Sequence, residues 1–214
     1  MDNLYEQWWE KKLGGTYKDI HGNIHDAPTE DDFVNWMGNP YDVDRQYVRN
    51  LLPDYIETFL DVACGAAPEY IGLLEQKPDI KYTGVDITPR LVEYCNNKNI
   101  NVQLGSAESL PFDDSSFDVV HARHLLEHMS NFEKPISEFI RVAKGLVFVV
   151  FFICPEEGQS KITDITEMED PCYDNVYDKL EIDNFISSNP KVSHHEWDFG
   201  HFGHSCAILQ IEIE

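Results

Sequence analysis

The sequence predicts an α/β fold built on a doubly wound, mainly parallel sheet, and two observations carry that prediction. Apolar or β-branched runs recur at residues 58–63, 81–86, 101–104, 117–121 and 146–153, with helix-like segments between them. Strands that alternate with helices build parallel sheets. The runs are also continuously apolar, without apolar-polar alternation, as strands covered by helices on both faces must be. The run 146–153 is the expected centre of the sheet.

Taken in order, residues 1–52 differ from the rest: Tyr5, Trp8, Trp9, Tyr17, Phe33, Trp36 and Tyr41 sit among Gly, Asn, Asp and Pro. They are expected to form an aromatic cap on the same unit, with a short amphipathic helix at 5–13 and a stronger one at 43–52. Pro53 stops the second, because proline cannot continue a helix. Residues 53–214 then form the domain proper. After Pro155 a polar stretch leads to a helix near 173–187 and two strands, 191–197 and 205–213, whose short connection predicts an antiparallel hairpin.

Composition narrows the class. At 214 residues and 42% hydrophobic content the chain builds one sizeable core. The longest apolar run, 146–154, is far shorter than a membrane span, and neither end resembles a signal peptide, so a soluble cytoplasmic protein without membrane insertion is expected. The five cysteines (Cys64, Cys95, Cys154, Cys172, Cys206) are odd in number, scattered and never in a C-x-x-C pair. They are expected to be reduced thiols rather than disulfides or zinc ligands. Lys and Arg total 16 against 39 Asp and Glu, a formal net charge of -23. That field disfavours a nucleic-acid partner; it reads as solubility or a salty habitat, or more sharply as a surface that favours a cationic or amine-bearing substrate.

In a doubly wound sheet, ligands bind beyond the carboxyl ends of the strands, so the loops after the first strands matter most. The first of these loops is Asp61-Val62-Ala63-Cys64-Gly65-Ala66-Ala67-Pro68, small residues that let the backbone approach a ligand, followed by a helix starting near Pro68. It lacks the G-x-G-x-x-G that a pyrophosphate needs, and its aspartate suits an ammonium or sulfonium group better than a diphosphate. The second strand ends in Gly84-Val85-Asp86, a carboxylate placed to accept both hydroxyls of a ribose. After the third, Gly105-Ser106-Ala107-Glu108 offers a backbone amide and a short polar side chain to the edge of an adenine.

These pieces, FLDVACGAAP (59–68), YTGVDIT (82–88), GSAESLPFDDSSFDVVHA (105–122), LLEHM (125–129) and EFIRVAKG (138–145), resemble the class I S-adenosylmethionine-dependent methyltransferases, in particular the methyltransferase-domain group related to the enzymes of ubiquinone biosynthesis. The resemblance implies a Rossmann-like, seven-stranded sheet whose last strand is antiparallel, S-adenosyl-L-methionine as cofactor, and methyl transfer to a small-molecule acceptor. It implies that Asp61 and Gly65 line the methionine part of the cofactor, Asp86 the ribose, Ala107 the adenine, and His121 the floor beneath the methyl group. Two departures stand out: Ala63 and Ala67 occupy positions where the family commonly has glycine, and Ser106 replaces an acid that often follows the third strand. The alternatives are a cofactor-binding regulator without catalysis and a related transferase moving an aminopropyl group.

Methyl transfer from a sulfonium is an in-line displacement that needs alignment and exclusion of water more than acid-base machinery. Where a proton must leave, histidine titrates nearest neutrality. In the run 121–128, His124 and His128 are spaced to share a helical face, and His124, just past a strand end, is the first candidate for a general base. Tyr17, Trp36 and Tyr41 are candidates to line the acceptor pocket from the aromatic cap. His194, His195, His201 and His204 flank the final hairpin and are expected at the surface. No metal site is expected.

Overall fold

The computed structural model describes residues 16–18, 24–26, 38–162 and 174–214. The proposed helix at 5–13 and the side chains of Tyr17 and Trp36 lie outside the described residues, as does Cys172. A small antiparallel pair, β1 (Thr16–Lys18) and β2 (Ile24–Asp26), stands apart from the main sheet. The chain then runs α1 (Val43–Leu51), β3 (Thr58–Val62), α2 (Pro68–Gln76), β4 (Lys81–Asp86), α3 (Pro89–Asn97), β5 (Val102–Leu104) and β6 (Phe117–Arg123). After these come α4 (Glu133–Val142), β7 (Ala143–Phe151), α5 (Lys179–Ser187), β8 (Val192–Phe202) and β9 (Ser205–Ile213).

Local chemistry sets several of these boundaries. Proline opens both α2 and α3, at a first-turn position where its missing N–H would have no partner. Asp178 caps α5, its carboxylate accepting from the amide of Leu180 at 2.9 Å. Helix α1 ends at Leu51, and Leu52, the residue before Pro53, is extended because the following ring disfavours helical backbone there.

The main sheet has seven strands in the order β5-β4-β3-β6-β7-β9-β8, with β9 antiparallel to both neighbours and every other pairing parallel. The expected hairpin is present, with β8 extending to Phe202. The centre of the sheet is β6, the fourth strand of seven, and not the run 146–153, because the hairpin adds two strands beyond β7. Successive strand residues serve opposite faces. Leu60, Val62, Val120, Val147 and Val149 pack under α4 and α5 with Ile136, Phe139 and Ile182. Phe59, Val119, Phe148 and Val150 pack under α1, α2 and α3 with Val48, Leu73 and Cys95. A fully buried aliphatic or aromatic side chain stabilises by about 1.5–3 kcal/mol, so these two layers supply the driving force and leave the carboxyl ends of the strands free for chemistry.

Two expectations are corrected. Cys154, just after β7, and Cys206, in β9, are joined as a disulfide across 52 residues of sequence with Cα atoms 5.7 Å apart; no spacing motif signals it because the antiparallel return of β9 brings the two together. Cys64 and Cys95 are free and buried. The helix expected near 173–187 occupies only Lys179–Ser187.

Candidate functional site

Strand order reverses between β3 and β6, where ligands collect in this architecture. Asp61 and His121 face each other across that gap, paired in register. His121 Nδ1 lies 2.9 Å from Asp61 Oδ1, and the Tyr82 hydroxyl donates to Asp61 Oδ2 at 2.9 Å. All three are buried. A carboxylate only accepts, so Nδ1 carries the proton in this pair and Nε2 is left without a hydrogen-bond partner.

The turn after β3 keeps three left-handed residues in alternation: Ala63 at φ 57°, Gly65 at 57° and Ala67 at 56°. The alanines therefore occupy glycine geometry, at a cost of roughly 1 kcal/mol each. A Cβ on Gly65 would meet nothing within 4 Å, so the backbone here borders open space. Asp86 Oδ2 accepts from the Gly65 amide at 2.8 Å and Oδ1 from the Thr88 amide at 2.9 Å. Burial raises the Asp86 pKa, and the two amides work against that rise. Beside it, the Gly105 amide donates to the Asp86 carbonyl, and the Ser106 hydroxyl accepts from the Glu108 amide at 3.2 Å. Ala107 is buried. Burial and the neighbouring Asp86 and Asp61 raise the Cys64 thiol well above its ordinary value, so it is neither thiolate nor nucleophile.

The other side of the gap is a buried ionic cluster. Glu69 accepts from Arg45 at 3.0 Å and from Arg49 at 2.8 Å, binding α1 to α2. Asp44 accepts from Arg123 Nε at 2.6 Å and from the Ser205 hydroxyl at 2.5 Å. Burial acts to raise the Asp44 pKa, but Arg123, Ser205 and His124 outweigh it and leave the carboxyl below its usual range. His124 Nε2 is 2.6 Å from the same Ser205 oxygen.

His124 and His128 do not share a helical face. His124 has a left-handed backbone at φ 53°, and His128 closes a single 3-10 turn, Leu126–His128. Phe152 brings them to one place, its ring centroid 5.2 Å from each imidazole. Burial, then the Arg123 charge, pushes the His124 pKa down to about 2, which makes it a poor proton acceptor. Tyr41 is exposed and donates to Glu75 at 2.6 Å, while the next residue, Asp42, accepts from Arg123 of the cluster just described at 3.2 Å. His194, His201 and His204 are exposed, whereas His195 contacts Asp183 at 3.1 Å.

Sequence reasoning missed Asp44, Ser205 and Glu127. Glu127 lies within LLEHM; its Oε1 accepts from the amides of Phe152 at 2.7 Å and Ile153 at 3.3 Å, and its buried Oε2 has no partner. Burial raises its pKa to about 7. A charged residue in an otherwise apolar stretch was the available signal. Among the described residues no group of His, Cys, Asp and Glu is arranged to hold a metal, and no helix is long and apolar enough to cross a membrane.

Comparison with known proteins adds a likeness over the central part of the chain. Residues 60–151 match the family described as methyltransferase domain. Two S-adenosylmethionine-dependent methyltransferases, from Methanosarcina mazei and Aquifex aeolicus, share the fold with TM-scores of 0.55 and 0.58, each at 18% identity. Among similar proteins, an uncharacterized methyltransferase, YcgJ, of Bacillus subtilis is 33% identical over 104 residues, covering 45% of this chain and 37% of the relative. The demethylmenaquinone methyltransferase of Chlorobaculum tepidum is 31% identical over 106 residues, covering 48% and 43%. The chain thus spans under half the length of these relatives. Other relatives are named as alkaloid N-, sterol C- and tRNA O-methyltransferases. A Haloferax volcanii putative methyltransferase, solved in complex with the Trm112 methyltransferase activator, shares the fold with a TM-score of 0.63 at 13% identity, covering 86% of this chain and 92% of that one.

The residues present fit S-adenosylmethionine. Gly65 borders open space, and His121 Nε2, at the carboxyl end of β6, is a buried polar atom without a partner among the described residues.

Proposed function

We propose that the protein transfers the methyl group of S-adenosylmethionine to a small-molecule acceptor. The observation that carries this reading is the matched methyltransferase segment with Asp86 set between Gly65 and Thr88 at the strand ends. In this reading Asp86 holds the ribose, Gly65 and Asp61 border the methionine part, Ser106 and Ala107 border the adenine, and His121 lies beneath the methyl group. S-adenosylmethionine supplies an electrophilic methyl on a sulfonium. The chain's residues orient the acceptor and keep water away, with no metal.

The acceptors named for relatives range from an alkaloid to tRNA. The net charge of -23 favours a small molecule over a polyanion here. Isothermal titration with S-adenosylmethionine, followed by assay of S-adenosylhomocysteine release in the presence of small-molecule extract of the source, tests the proposal. Saturable binding with extract-dependent product supports it. Binding without product in any fraction leaves a cofactor-binding regulator instead.

A further inference from the structure

Cys154 and Cys206 are bonded at the end of the β7–β9 ladder where β7 reaches the carboxyl edge of the sheet. The two strands are already held together by six register pairs, the last being Phe151 with Ala207. The bond therefore joins the two segments that run past the ladder, 152–154 and 205–206. Both segments carry parts of the cluster around Asp44. Ser205 donates to Asp44, and its oxygen lies 2.6 Å from His124 Nε2. The Phe152 ring stands 5.2 Å from the imidazoles of His124 and His128, and Glu127 accepts from the Phe152 amide at 2.7 Å. A bond from 154 to 206 fixes the Phe152 side of this cluster relative to the Ser205 side. Two further observations concern the sulfurs. Cys154 and Cys206 are half-buried, whereas Cys64 and Cys95 are 6% and 0% exposed. Exchange at sulfur needs access for an attacking thiolate, so exposure decides which cysteines take part. Cys206 Sγ also lies 3.6 Å from the Phe151 carbonyl, so after reduction its S–H has an acceptor already in place.

We propose that Cys154 and Cys206 are a site of reversible thiol–disulfide exchange with low-molecular-weight thiols, and that the closed bond fixes Ser205 and Phe152 against His124. Closing begins when the thiolate of one cysteine attacks an external disulfide and displaces one thiolate from it, leaving a mixed disulfide on the protein. The thiolate of the other cysteine then attacks the protein sulfur of that mixed disulfide and expels the second external thiolate. Two electrons pass from the protein dithiol to the external disulfide, and the two cysteine protons end on the released thiols. Opening is the reverse, with the external thiol as reductant. Reduction leaves the sheet standing, because the β7–β9 pairing is carried by backbone hydrogen bonds, and it frees the two segments from one another. The switch goes beyond methyl transfer and stands without it; its effect on turnover alone rests on that reading.

The test equilibrates the full chain in buffers of reduced and oxidised glutathione at a series of ratios, quenches in acid, alkylates, and reads the bonded fraction by peptide mass mapping. A single transition between dithiol and Cys154–Cys206 disulfide is expected within the series, the same from either direction. A pair that stays reduced at every ratio, stays bonded at every ratio, or bonds to Cys172 instead overturns the proposal. Coupling to the cluster is read in 15N-histidine spectra of the two states of the unmutated chain. The His124 and His128 signals should move between them, and that of His121, buried against Asp61, should not. Unmoved His124 and His128 signals overturn the coupling. The double variant Cys154→Ser with Cys206→Ser should show the open-state spectrum in every buffer; one that still follows the glutathione ratio sinks the assignment to this pair. On the methyl-transfer reading, opening the bond should lower kcat/KM on the order of 10-fold at unchanged cofactor affinity. Equal turnover in both states overturns that effect and leaves methyl transfer standing. No methyl transfer in either state, with the redox transition intact, overturns methyl transfer and leaves the switch.

Discussion

Around Asp86 the contacts that shape the site come from nearby in the chain, Gly65 at 21 residues and Thr88 at two, whereas Asp44 meets Arg123 across 79 residues and Ser205 across 161. The half of the strand edge around Asp86 is made of backbone amides and short turns. The half around Asp44 is made of side chains delivered by α1, the end of β6 and the start of β9. Amide-built sites depend on backbone conformation, which local sequence specifies. Side-chain networks depend on tertiary assembly and can be rebuilt without changing the turns beside them.

The sharpest way to break that contrast is at Glu69, which holds both Arg45 and Arg49. Glu69→Ala leaves two buried guanidinium groups unpaired and should cost about 3–5 kcal/mol in urea unfolding. A loss below about 1 kcal/mol would mean that α1 is not anchored through this pair.

On the Asp86 side, Asp86→Ala should weaken S-adenosylmethionine binding at least roughly 100-fold, since in the proposed reading it removes the ribose acceptor, and it frees the Gly65 and Thr88 amides. Calorimetric titration measures it. Ser205→Ala should spare that binding. Loss of binding in both variants would erase the division between the halves.

Glu127 offers a pH test. Its pKa is about 7 in the folded state against an ordinary 4.5, so the native protein holds the proton more tightly than the unfolded chain. The stabilising contribution is complete below pH 4.5 and is lost as pH rises through about 7. Wild-type stability relative to Glu127→Gln should therefore fall by on the order of 2–3 kcal/mol between pH 4 and pH 8. An equal difference at both pH values refutes the buried-acid assignment.

The smallest effect is expected in the turn itself. Ala63→Gly and Ala67→Gly should each stabilise by roughly 1 kcal/mol or less, because both alanines sit at positive φ. Destabilisation by either would show that the methyl groups pack to advantage.

The same contrast explains what could be read in advance. The strand runs, the turn at 59–68 and the Asp86 strand end are local patterns, so the sheet and the position of that turn and strand end were legible, down to the antiparallel last strand. The helical face assigned to His124 and His128 failed because spacing alone does not reveal that His124 turns left-handed at the strand end. Ser205 and Cys206 belong to the opening of β9, and nothing in a linear pattern tells which strand end they will meet. The Cys154–Cys206 bond was missed for the same reason.

The matched segment, 60–151, contains Arg123 and His124 but neither Asp44 nor Ser205. A change at Asp44 or Ser205 must be matched across 161 residues of sequence, whereas the turn at 63–67 can be kept or altered within one short stretch. Inheritance and innovation are thereby assigned to different stretches of the same chain.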